Sequence, residues 1–170
     1  MASTESAARF GLPEHGFTMC GGVVQPKSRG QVRLTGPNPS DPVEIEQNML
    51  AHPDDMEAAI ELVELCRAVG NTAPLRPFIK REVMPSNLRH ADLEHFIRDA
   101  TETYDHSVGT SKMGRDDMAV VDGNLKVHGI DGLRIADGSI MPRITTGNTM
   151  APCVIIGERA AEILQAEYAS

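Results

Sequence analysis

The chain has 170 residues, enough for one domain or one and a fraction with a buried core. It carries 16 Lys and Arg against 24 Asp and Glu, a formal net charge of -8. The basic residues are scattered, which argues against a general nucleic-acid or anionic-membrane binder. There is no Trp, with only four Phe and two Tyr, so aliphatic residues and Met must fill the interior.

The opening residues MASTESAARFGLPEH lack the apolar run of a signal peptide, and residues 1–15 are expected to be poorly structured. No apolar stretch approaches membrane-spanning length. Cys20, Cys66 and Cys153 are odd in number and show no CxxC spacing. A zinc or disulfide framework is therefore not expected, and a reducing, cytoplasmic compartment is.

In chain order, GFTMCGGVVQ (Gly16 to Gln25) reads as a strand and the following Pro-Lys-Ser-Arg-Gly as a turn. Gln31 to Leu34 alternates polar and apolar residues, as a half-buried strand does. A Pro-rich loop runs from Gly36 to Pro42. A helix begins at Pro53, with Asp54 and Asp55 in its first turn; Met56, Ala59, Ile60, Val63 and Cys66 share one face, and Gly70 ends it. A second helix, roughly Ala91 to Glu102, has Leu93, Phe96, Ile97 and Ala100 as its apolar stripe.

Beyond His106 the period shortens. Val120-Val121 and Leu125 to Val127 flank Asp122-Gly123-Asn124, a hairpin signal. Leu133-Arg134-Ile135 alternates and runs into Asp137-Gly138. A last helix is expected from about Thr149 to Glu167, with Pro152 tolerated in its first turn. It is apolar or small on most sides, which suggests burial between layers.

Taken singly, the polar residues of this region have ordinary explanations. His106 reads as a surface or hydrogen-bonded histidine, Asn148 as a helix N-cap, and Asp137-Gly138 as a turn. Together they sit in a longer pattern: QPKSRGQVRL, HSVGTSKMG, VVD, GLRIADGSIMP and TGNTMAP, in that order. This series resembles the C-terminal signature of the glucose–methanol–choline (GMC) family of flavin oxidoreductases, and the likeness extends from about Gly16 to Leu164.

The resemblance implies an α+β chain in two segments. Residues 16–115 would be part of a substrate domain, an antiparallel sheet flanked by helices. Residues 116–170 would complete an FAD-binding domain with a returning strand, Leu133 to Asp137, and the closing helix. Two departures stand out. The dinucleotide fingerprint GxGxxG does not occur in the chain. Ser111 stands where the family often has Cys, and Asp105 where it has an aromatic immediately before the histidine. Asp105 would raise the basicity of the imidazole if it faced the site.

The implied chemistry is oxidation of an alcohol to a carbonyl. An imidazole titrates ordinarily near 6.5, which suits a base working around neutral pH, and the resemblance gives that role to His106. The amide of Asn148 would stabilise the developing alkoxide. Thr149 and Met150, at the start of the closing helix, would face the electron-rich edge of FAD, and Asp137 and Gly138 its ribityl chain and pyrophosphate. No metal ligand set is expected: the remaining histidines lack ligand spacing, His90 and His95 being five apart.

The expected partners are a small-molecule alcohol and an N-terminal FAD-binding subunit or domain, without nucleic acid or membrane. Two other functions suit the same residues. One is a non-catalytic remnant kept as a binding or assembly module. The other is a cyanohydrin lyase on the same scaffold.

Overall fold

The computed structural model describes residues 13–169. Its elements are a hairpin of β1 (Gln31–Leu34) and β2 (Val43–Glu46), then helices α1 (Pro53–Gly70), α2 (His90–Ala100) and α3 (Met150–Tyr168). This is an α+β arrangement, as expected. Two compact units can be distinguished. One comprises Ile45–Thr103 with the segment up to Gly30; the other comprises Gln31–Glu44 and the chain from Tyr104 onward.

In the first unit, α1 starts at Pro53, whose missing N–H costs nothing in the first turn. His52 caps it, Nδ1 accepting from the Asp54 N–H at 3.2 Å. Leu50, Met56, Ala59, Leu93 and Ile97 form the buried core, with Ile60, Val63 and Phe96 packed against it. Apart from Leu50, which precedes α1, these residues come from the apolar stripes that the helical period marks; Cys66 and Ala100 of those stripes are not in the cluster.

The expected strand from Gly16 to Gln25 does not form; that stretch is irregular. Its β-formers find no partner backbone. Instead the stretch lies along α1: a Cβ on Gly21 would collide with the Leu62 side chain, and one on Gly70 would stand 3.6 Å from Met19 Sδ. The N-terminal expectation falls mostly on residues 1–12, outside the described ones.

Asp55 is 4% exposed and pins the turn that precedes β1. It accepts from the N–H of Lys27 at 2.8 Å, from the N–H of Ser28 at 2.7 Å, and from the Ser28 hydroxyl. Ser28 Oγ in turn accepts from the His52 N–H at 2.9 Å. Burial pushes the Asp55 carboxyl up, but the Ser28 hydroxyl and the two backbone donors outweigh it and hold it below its ordinary value.

In the second unit the core is Val121, Leu125, Ile140 and Ala160, with Met113, Val127, Ile135, Ile156 and Ile163 around it. The hairpin expected at 120–127 is reduced to a single bridge, Val121 with Val127, and Lys126 bridges onward to Arg134. The reason is Asp122, whose carboxylate takes the N–H groups of Asn124 at 2.8 Å and Lys126 at 2.9 Å. Those donors make a turn rather than a ladder. Leu133 to Asp137 likewise bonds to Leu125 and Val127 without becoming a strand.

The closing helix departs from its expected burial. Only Ala160 is buried along α3, while Met150, Val154 and Ile155 are 73%, 56% and 66% exposed.

Because the Asp55 carboxyl is depressed in the folded protein, its stabilisation is complete above the unfolded-state value of about 3.9 and is lost as pH falls through the folded one. Asp55→Ala should cost about 2 kcal/mol at pH 7, with the difference from wild type shrinking below pH 4 in urea titrations. A constant difference down to pH 2 would contradict this linkage.

Candidate functional site

His106 lies on an irregular segment of the second unit. Its Nε2 is buried and has no hydrogen-bond partner. A desolvated ring nitrogen without a partner is unfavourable and therefore informative. The ring meets Tyr104 edge-on, with centroids 5.2 Å apart.

Downstream of the histidine, the chain is stitched to the turn Gly138–Ile140. Ser111 N–H donates to Ser139 O at 3.0 Å and Met113 N–H to Ile140 O at 2.8 Å. Two glycines permit this approach. Gly109 has φ of 90°, a conformation L side chains rarely adopt, and a Cβ there would stand 3.1 Å from Met141 O. A Cβ on Gly138 would stand 3.1 Å from Cys153 Sγ and 3.6 Å from Val108 Cγ1. Gly138 is thus the point where the histidine segment and the first turn of α3 meet the same turn.

Asp137 caps that turn, its Oδ1 accepting from the Ser139 N–H at 2.7 Å. The Ser139 side chain, then its backbone N–H, hold the Asp137 carboxyl below the ordinary range, so it is ionised at neutral pH.

Asn148 is exposed and lies two residues before α3. It is not the cap. Thr149 occupies that position with φ of -82° and ψ of -8°, and no side chain bonds to the first turn. The helix therefore starts with N–H groups that no capping side chain satisfies, and Met150 stands exposed beside them.

The sequence reading singled out His106, Asp137, Gly138, Asn148, Thr149 and Met150. It missed Tyr104, Val108, Ser139 and Cys153, which hold the first three in place. Only Tyr104 had a signal, as an aromatic two positions from the histidine in a chain poor in aromatics. Among the described residues, no three His, Cys, Asp or Glu side chains gather as a cation site. Nor is any helix there long and apolar enough to cross a membrane.

Comparison with known proteins gives this geometry a context. The family model described as GMC oxidoreductase matches residues 26–157. An oxygen-dependent choline dehydrogenase of Klebsiella pneumoniae is 40% identical over 156 residues, 91% of this chain and 28% of that protein. One from Escherichia coli is 37% identical over 160 residues, 93% of this chain and 29% of that protein. Among solved structures, pyridoxine 4-oxidase from Mesorbium loti superposes with a TM-score of 0.78 at 35% identity, covering 82% of this chain and 28% of its own. An FAD-dependent oxidoreductase from Chaetomium thermophilum gives 0.79 at 30% identity, covering 86% and 26%. The chain thus spans under a third of the length of these relatives.

Gly109→Ala should destabilise the protein by about 2 kcal/mol, since the left-handed backbone and the fixed Met141 carbonyl both oppose a methyl group. Chemical denaturation checks this, and an unshifted midpoint would mean that the segment relaxes freely.

Proposed function

The chain belongs to the GMC oxidoreductase family, and we propose that it is the catalytic C-terminal part of an FAD-dependent alcohol oxidoreductase of the choline or alcohol dehydrogenase type. On this reading residues 16–115 contribute to the substrate domain and residues 116–170 complete the FAD-binding domain. The observation that carries it is the buried, unpartnered Nε2 of His106 inside the family's signature.

In the proposed reaction His106 Nε2 takes the proton of the substrate hydroxyl. A nitrogen held dry and unbonded is ready for that proton and has no competing donor to give up. The Asn148 amide donates to the oxygen as negative charge develops on it. The chemistry FAD supplies when bound is acceptance of the hydride from the substrate carbon.

The residues that would hold the cofactor are Asp137, Gly138, Asn148, Thr149 and Met150, and their features suit it. Gly138 lets the histidine segment and the first turn of α3 close on the turn that Asp137 caps, which fixes the residues around it. Asp137 is an ionised acceptor suited to a ribityl hydroxyl. The uncapped N–H groups at the start of α3 favour negative charge nearby.

The substrate is a small alcohol, and the partner is an N-terminal FAD-binding domain or subunit. Three free cysteines suit a reducing, cytoplasmic setting.

Joined to an N-terminal FAD-binding part, His106→Ala should slow flavin reduction by about 10²-fold or more in stopped-flow mixing with an alcohol substrate. An unchanged rate would remove His106 from the role of base. The 170-residue chain alone should purify without stoichiometric flavin absorbance, since it carries no GxGxxG unit to grip the adenosine and pyrophosphate. A yellow, fully loaded protein would contradict that division of labour.

A further inference from the structure

The residue immediately before the histidine is Asp105, which has no ring. An aromatic ring reaches the imidazole nonetheless. Tyr104, one position earlier, meets His106 with centroids 5.2 Å apart and ring planes at 84°. That is the edge-on arrangement that ring quadrupoles favour. Asp105 has φ of 58°, a left-handed turn that Asp tolerates better than most residues. The turn lies between the two rings and carries the chain from one to the other.

The consequence lies in the nitrogen. His106 Nε2 is buried without a partner, while Tyr104 itself remains 75% exposed. A desolvated nitrogen of this kind persists only where packing keeps water away and fixes the ring orientation. Tyr104 is an aromatic ring in contact with that imidazole.

We propose that Tyr104 is a positioning residue for His106, its ring shielding Nε2 from water and holding the imidazole in one orientation. The proposal rests on reading His106 as the base, although the shielding itself can be measured without turnover.

The test is carbethoxylation of the 170-residue chain by diethyl pyrocarbonate, with the six histidines followed separately by peptide mass spectrometry. The reagent acylates the neutral imidazole, preferentially at Nε2, so the ratio of the His106 rate to that of exposed His15 reads access to the shielded nitrogen. Tyr104→Ala should raise that ratio about 10-fold, by admitting water and reagent, and Tyr104→Phe should leave it at the wild-type value. Tyr104→Gln, which keeps side-chain length without the ring, should raise it as alanine does. A ratio that stays flat in both the alanine and glutamine variants overturns the proposal. If instead His106 is not the base, the ratio still rises, while His106→Ala leaves flavin reduction unchanged in the assembled enzyme.

Discussion

The approach of two backbone segments at Gly109 and Gly138 is the constraint on which the second unit depends. At those α-carbons only hydrogen fits comfortably, because Met141 O and Cys153 Sγ each lie 3.1 Å from where a Cβ would be. The closeness lets Ser111 and Met113 donate to carbonyls of the Ser139–Ile140 turn. It also sets the histidine segment and the start of α3 against one rigid turn. Sites built this way hold their geometry through backbone hydrogen bonds rather than long side chains.

The polar cap at Asp137 and the buried Ile140 secure that turn from opposite sides. The carboxylate engages Ser139 N–H at 2.7 Å, while Ile140 packs with Val121, Leu125 and Ala160. The far end of α3 is tied differently. Glu167 accepts from Lys126 at 2.9 Å at the surface and pairs with Arg134, whose side chain is mostly covered. Surface ion pairs contribute little stability, so the buried contacts decide where the helix lies.

The closing helix leaves several apolar side chains exposed. A helix apolar on most sides suits burial between layers. Here one face packs on the Val121 cluster and Met150, Val154 and Ile155 remain open. Under a third of the length of the choline dehydrogenase relatives is present.

Much of this was legible from residue order, because it depends on neighbours close along the chain. The helical period at Met56, Ala59, Leu93 and Ile97 marked the first core, and Pro53 the start of α1. The separated motifs between Gln25 and Pro152 marked the family. Contacts made between distant positions were not legible. GFTMCGGVVQ has strand composition but no partner strand, so it follows α1 instead. Asp122 turns its carboxylate onto Asn124 and Lys126, which shortens an apparent hairpin to a single bridge. Asn148 has the residue type of a cap, yet Thr149 holds that place. Local periodicity marked the long helices, and motif order marked the family. The dry nitrogen of His106 and its tyrosine neighbour arise from burial and close packing, which no residue encodes alone.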